Sequence, residues 1–155
     1  MAKTKVIRIG VVGLRFFNDV EYFNSKLDEL VAKMDLGGST QVIFVSGHAS
    51  GIDAMVEDYV DVHHKDKSNY SLEIKEADWD EHGKAAGFIR NQEIVDCSHR
   101  IIAFWDKEST GTKDTIDKAI AAGKHVKIVR IVKSKQRYWS QRHRAEFAKR
   151  DKNEG

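Results

Sequence analysis

The sequence contains no proline and a single cysteine, Cys97, in 155 residues. One cysteine excludes a disulfide within the chain and is typical of proteins of the reducing cytosol. Long hydrophobic runs are also missing, since the longest apolar stretches have only the length of a strand, and this excludes a membrane span. No histidine lies at ligand spacing from Cys97, and no apolar signal region follows the charged N-terminus. We therefore expect a cytoplasmic protein with no membrane partner, no metal ion and no cofactor.

Charge is distributed unevenly along the chain. Residues 133–155 carry eight Lys/Arg and three Asp/Glu, which gives a net charge of +5. The remainder of the chain carries 18 Lys/Arg and 21 Asp/Glu, which gives a net charge of −3. The composition, 41% apolar and 32% charged, suits one soluble globular domain with a substantial core. We expect this domain over residues 1–132, followed by a basic tail or helix over 133–155.

Strand patterns alternate with helical patterns along the whole domain. A capping-box pair, Asn18 and Glu21, predicts the start of the first helix, and residues 80–87 lack an apolar period and predict a loop. The alternation predicts an α/β fold, a Rossmann-like three-layer sandwich with a five-stranded, mostly parallel sheet in the order 3-2-1-4-5. The five strands are predicted at Val6–Val12, Gln41–Val45, Ser71–Glu76, Arg100–Trp105 and His125–Val132.

The stretch Ser46–Asp53, with the sequence S-G-H-A-S-G-I-D, separates an apolar strand from an amphipathic helix. Gly47 and Gly51 allow the backbone to turn and to approach a ligand without a Cβ in the way. The following helix directs its free N–H groups and the positive end of its dipole at the loop, as in many phosphate sites. A tight turn without any ligand is the alternative explanation of this loop.

Polar and glycine-bearing stretches recur after the carboxyl ends of the predicted strands. Ligands of open parallel sheets bind at this edge, so we expect Gly13, Gly47 and Gly111 to meet there. The candidate ligand-binding residues are Gly13, Arg15, Ser46, Gly47, His48, Ser50, Gly51, Asp53, Asp78, Trp79, Arg90, Asn91, Gly111, Thr112 and Lys113.

Five short motifs follow one another along the predicted domain. They are Gly13-x-Arg15 with Phe17 and Asp19, Ser46–Asp53, Ala77-Asp78-Trp79, His82–Asn91, and Phe104-Trp105 with Ser109–Thr112. In this order they resemble the motifs of the SLOG superfamily, and specifically of its YspA/YpsA-related branch of small proteins. The resemblance covers about residues 6–132 and implies a Rossmann-like fold with a nucleotide or nucleotide-derived ligand.

The chain departs from the family pattern at positions 14, 48, 50 and 88, where the family usually has Ser, Gly, Arg and Pro, respectively. An arginine missing from position 50 removes a bidentate phosphate clamp, and His48 could supply a weaker, pH-dependent donor. The ligand or its affinity is therefore expected to differ from the family's norm. The four residues of this chain are Leu14, His48, Ser50 and Phe88.

The favoured hypothesis is a binding module that holds a nucleotide, or a cyclic or ADP-ribose-type signal, without turning it over. Arg15, Arg90 and Lys113 would neutralise phosphates, and the glycine loops would cradle them with backbone N–H groups. Asp53 or Asp78 would accept hydrogen bonds from the ribose or the base, and Trp79 or Trp105 would stack on the base. Homo-oligomers are a further expectation, since relatives often pair through helices.

The alternative is an N-glycoside hydrolase acting on a nucleoside monophosphate. The SLOG superfamily includes the Lonely Guy phosphoribohydrolases and the core of DNA-processing protein A, and the former carry a catalytic Glu three residues after the Thr that corresponds to Thr112. This chain has Thr115 there, and a hydroxyl cannot replace that carboxylate. Asp78 or Asp114 would have to act as the acid or base, so the enzyme is not favoured.

A third and less favoured hypothesis is that the basic tail binds single-stranded nucleic acid, whose bases would stack on Tyr138 and Trp139.

Overall fold

The computed structural model describes residues 5–64 and 69–132. It contains five strands, β1 (Val6–Gly13), β2 (Gln41–Ser46), β3 (Tyr70–Ile74), β4 (Arg100–Trp105) and β5 (His125–Arg130). Every neighbouring pair is parallel, and the sheet order is β3-β2-β1-β4-β5. The α/β class, the parallel sheet and the predicted strand order are therefore confirmed. The predicted basic tail at 133–155 lies outside the described residues.

Within the described ranges, five helices connect the strands. They are α1 (Val20–Lys33), α2 (Ile52–His64), the short α3 (Trp79–His82), α4 (Ala86–Cys97) and α5 (Thr110–Ala121), and a 3₁₀ turn at Gly83–Ala85 joins α3 to α4. None of the helices in the described ranges is both long and apolar enough to cross a lipid bilayer.

Two predictions about local structure are wrong. Asp19, and not Asn18, caps α1, because its Oδ1 accepts the backbone N–H of Tyr22 at 3.1 Å. The predicted loop at residues 80–87 is instead α3, the 3₁₀ turn and the first residues of α4. These short helical turns carry no buried side chain before Ala86, so they show no apolar period that the sequence could have displayed.

The core consists of two apolar layers, one on each face of the sheet. On one face, α1 and α2 bury Phe23 and Val56 against strand residues such as Phe44. On the other, α4 and α5 bury Ile94 and Ile116 against the alternate strand residues, among them Val45 and Ala103. Each fully buried side chain of this size contributes about 1.5–3 kcal/mol, so this three-layer packing holds the carboxyl ends of the strands in fixed positions.

Candidate functional site

A cleft of about 670 Å³ lies at the carboxyl edge of the sheet. This volume falls within the range of small-molecule sites. The loops after β1, β2 and β4 form its walls together with α3 and the first half of α4, so the predicted convergence of the glycine loops at one edge is observed. The predicted ligand-binding residues that line it are Gly13, Arg15, Asp53, Trp79, Arg90, Asn91, Gly111 and Thr112.

Gly51 fixes the start of α2 against the loop after β1. Its φ is +71°, a left-handed conformation that L side chains rarely adopt. A Cβ at this position would lie 2.1 Å from the carbonyl oxygen of Leu14, and the next residue, Ile52, donates its N–H to that oxygen at 3.0 Å. The close approach of the two loops therefore requires glycine here.

Arg90 joins α4 to the loop after β2. Its side chain is 9% exposed, and Nη1 donates a 2.6 Å hydrogen bond to the carbonyl oxygen of Gly47. Nε donates to Oδ1 of Asn91 at 3.2 Å. The guanidinium is thus a buried cation at the wall of the cleft and not a surface charge.

Asn91 continues this network to α5. Its Nδ2 donates to Oδ2 of Asp114 at 3.1 Å and to the carbonyl oxygen of Gly111 at 3.4 Å. Asp114 in turn forms an ion pair with Lys118, with oxygen–nitrogen distances of 2.6 and 2.5 Å. Asp114 is not among the cleft-lining residues, and its carboxylate is neutralised by Lys118 and holds Asn91, which argues against the catalytic role considered for it.

Asp53 is the buried carboxyl group of the cleft. Its Oδ2 accepts the backbone N–H of Ala49 at 3.2 Å, and its side chain is only 7% exposed. Burial raises the pKa of Asp53 to about 6, even though Arg90, the Ala49 N–H and Arg15 favour the ionised form, and Glu57 raises it further. This carboxyl group can therefore change its charge near neutral pH.

His48 belongs to a separate cluster and does not line the cleft. Its Nδ1 lies 2.7 Å from Oε1 of Glu57, and its Nε2 lies 3.7 Å from Oε1 of Glu76. The buried Ser46 hydroxyl donates to the second oxygen of Glu57 at 3.1 Å and accepts the His48 N–H at 3.1 Å. The contacts of Ser46 and His48 thus stabilise the loop, and the expected phosphate donor at His48 is turned toward two carboxylates. Ser50 is buried and does not line the cleft.

The start of α5 is ordered by its own loop. Ser109 caps the helix by accepting the N–H of Thr112 at 3.4 Å. Asp106 accepts the N–H groups of Glu108 and Ser109 at 2.8 and 2.9 Å, and Trp105 Nε1 donates to the Ser109 carbonyl at 3.0 Å. Trp105 therefore orders the loop and is not among the cleft-lining residues, which leaves Trp79 as the tryptophan at the cleft among residues 5–64 and 69–132.

Two further predicted site residues lie outside the cleft. Lys113 is exposed, and its Nζ pairs with Asp117 at 2.6 Å along the outer face of α5. Asp78 caps the short α3 by accepting the N–H of Glu81 at 3.0 Å. Neither residue is positioned by these contacts to face a ligand in the cleft.

Several cleft-lining residues were not predicted as site residues. Lys84, Gly87 and Phe88 lie in the motif at His82–Asn91, so the motif itself was the available signal, although the stretch was interpreted as a loop without side-chain roles. Ser109 lies in the motif at Ser109–Thr112, and Thr115 occupies the position that the sequence comparison matched to a catalytic Glu, so both of them carried a signal as well. Phe16, Asp106 and Glu108 gave no signal beyond their position in a strand-end loop. The unpredicted lining residues include Phe16, Lys84, Gly87, Phe88, Asp106, Glu108, Ser109 and Thr115. No group of three or more metal-ligating side chains occurs within the described ranges.

No protein-family model matches the sequence. The chain is similar to the Gene 61 protein of Mycobacterium phage D29, with 32% identity over 83 residues. The aligned segment comprises 53% of this chain and 66% of the phage protein, just under two thirds of its length. The name of the phage protein states no activity, so this similarity connects the chain to a phage protein and assigns it no function.

Proposed function

We propose that this protein binds a nucleotide or a nucleotide-derived ligand in the cleft at the carboxyl edge of its sheet, as the resemblance to the SLOG superfamily implies. Arg90 is the observation that carries the proposal. Arg90 is a buried cation at the cleft wall beside the glycine loop, where Nη1 and Nε already donate to Gly47 and Asn91. A ligand phosphate would add a charge-assisted partner to this guanidinium.

The other cationic and backbone groups of the cleft support the same ligand class. Arg15 and Lys84 line the cleft in addition to Arg90, which gives three cationic side chains around one cavity. The start of α5, at Thr110, Gly111 and Thr112, also lines the cleft and brings the positive end of a helix dipole to it. An anionic group between these elements would be neutralised from several sides.

Isothermal titration calorimetry with AMP, cyclic AMP and ADP-ribose tests this proposal. Arg15→Ala is the informative variant, because Arg15 lines the cleft and is exposed, so its loss should leave the fold intact. We expect about tenfold weaker binding, since one hydrogen bond to a charged group contributes about 1.5–3 kcal/mol. Lys113→Ala is the matched control, because it removes a cation outside the cleft. Equal affinities for the wild type and Arg15→Ala would contradict the proposal.

A second candidate function, hydrolysis of the N-glycosidic bond, rests on Asp53. Its pKa of about 6 would suit a general acid or base at neutral pH, and Asp53 lines the cleft whereas Asp78 and Asp114 do not. Against it, Asp53 is 7% exposed and already accepts the Ala49 N–H. Release of free base from a nucleoside monophosphate by the wild type, and its loss in Asp53→Asn, would favour the enzyme; a bound nucleotide recovered intact would favour the binding module.

A further inference from the structure

Two aromatic side chains in the described part of the chain are exposed, and both line the cleft. Trp79 is 37% exposed and Phe88 is 52% exposed, and no other aromatic residue within 5–64 and 69–132 reaches this exposure. Six of the other described aromatic side chains are almost completely buried: Phe17, Phe23, Phe44, Tyr59, Tyr70 and Phe104. Among the described residues, the two most exposed of these aromatic rings therefore both lie at the candidate site.

The local backbone keeps the space beside these rings open. Gly87 precedes Phe88 in the first turn of α4, and a Cβ at Gly87 would lie 3.6 Å from Cη2 of Trp79 and 3.9 Å from Nη2 of Arg90. The edge of the Trp79 indole and the Arg90 guanidinium thus flank the same point of the cleft. A residue with a side chain would fill part of that space.

Phe88 also has a cationic neighbour on α5. The ammonium group of Lys118 lies 5.5 Å from the centre of the Phe88 ring, a distance at which a cation is attracted to an aromatic face. Lys118 is itself held by Asp114. The ring therefore has a preferred position although half of its surface is exposed.

We propose that Trp79 and Phe88 form an aromatic wall that stacks on a flat ring of the ligand, while Arg15 and Arg90 hold the ligand's anionic group. This inference rests on the proposed function and specifies its ligand: an aromatic base joined to a phosphate, and not a sugar phosphate alone. Stacking contacts the face of a ring and not its hydrogen-bonding edge, so the wall distinguishes ligands by ring area. Purine nucleotides are accordingly preferred over pyrimidine nucleotides.

Calorimetry on the full chain with AMP, CMP and ribose 5-phosphate tests the aromatic wall. We expect the wild type to bind AMP at least about tenfold more tightly than ribose 5-phosphate, and CMP with an intermediate affinity. Trp79→Ala and Phe88→Ala should each weaken AMP binding by about tenfold and leave ribose 5-phosphate within about twofold. Trp79→Phe, which keeps a ring, should retain most of the AMP affinity. Ile120→Ala is the matched control, because Ile120 is 63% exposed and lies outside the cleft.

Tryptophan fluorescence supplies an independent signal. AMP should quench the emission of the wild type, ribose 5-phosphate should not, and Trp79→Phe should abolish the AMP-dependent part. The aromatic wall is overturned if the wild type binds AMP and ribose 5-phosphate with equal affinity, or if the variants weaken the binding of both ligands equally. In either case the proposed phosphate site would still stand. A wild type that binds none of the three probes overturns the proposed function itself. Sedimentation showing that Phe88→Ala dissociates a dimer without changing AMP affinity would assign the rings to a second copy of the chain and also overturn the wall.

Discussion

Arg90 donates a 2.6 Å hydrogen bond from Nη1 to the carbonyl oxygen of Gly47, across 43 positions of the sequence. Gly47 has no side chain, and a Cβ there would lie 2.9 Å from both Nη1 of Arg90 and Oδ2 of Asp53. The absence of a side chain at one residue thus allows a buried cation and a buried carboxyl group to approach the same loop. The hydrogen bond between Arg90 and Gly47 therefore stabilises the loop and also holds the positive charge of Arg90 at the cleft.

Replacing Arg90 should cost both stability and affinity. In Arg90→Ala the Gly47 carbonyl loses its donor and Asp53 loses the cation that favours its ionised form. We expect the free energy of unfolding to fall by about 2–3 kcal/mol, the pKa of Asp53 to rise further, and nucleotide binding to weaken by about one to two orders of magnitude. Urea denaturation and calorimetry measure the two effects. An Arg90→Ala protein with wild-type stability and affinity would remove Arg90 from both roles.

Asp53 should make the stability of the protein depend on pH between about pH 4 and pH 6. Its pKa is raised from 3.8 to about 6 in the folded state, so the native protein binds the proton more tightly than the unfolded chain does. The free energy of unfolding must then increase as the pH falls through 6. Relative to Asp53→Asn, we expect the wild type to gain about 1 kcal/mol between about pH 7.5 and pH 5.

Urea denaturation of the wild type and of Asp53→Asn at a series of pH values checks this sign. A wild type that loses stability relative to Asp53→Asn on acidification would show that Asp53 is ionised in the native cleft at low pH.

Gly87→Ala should separate stability from ligand affinity. Alanine is the better helix former, and a Cβ at this position makes only ordinary contacts, so the free energy of unfolding should rise by about 0.5 kcal/mol. The same methyl group enters the space between Trp79 and Arg90, so AMP binding should weaken several-fold. Thermal denaturation and calorimetry on one preparation report both changes. A variant that is more stable and also binds AMP normally would show that the ligand does not occupy this space.

Gly51→Ala and Gly111→Ala form a matched pair of glycine substitutions in the site. At Gly51 the left-handed φ and the 2.1 Å approach to the Leu14 oxygen should cost more than about 2 kcal/mol of stability. At Gly111 a new methyl group would meet no atom of the described residues within 4 Å, apart from its chain neighbours and the backbone of its own helix, so the stability should change by less than about 0.5 kcal/mol. Chemical denaturation of both variants checks the contrast, and equal losses would contradict it.

The sequence alone was sufficient to predict the α/β architecture of the domain and the order of its strands. Apolar runs of strand length alternate with helical periods, and parallel strands joined by helices fix the sheet and the edge at which its loops meet. The end of α5 is equally local: Gly123 has a φ of +72°, its N–H donates to the Ile120 carbonyl oxygen, and the N–H of Lys124 donates to the Ala119 carbonyl oxygen. These features depend on residues close together in the chain, which is why their patterns are visible in it.

Only the tertiary structure decided which polar residues of that edge face the cleft. Residue type and spacing do not distinguish Arg90, which reaches Gly47, from Lys113, which pairs with Asp117 one helical turn away. The same holds for His48, whose ring turns to Glu57 nine residues later, and for the aromatic pair Trp79 and Phe88. The direction of a side chain and the partner it meets depend on elements distant in sequence, because packing brings them together only after the sheet and its helices have formed.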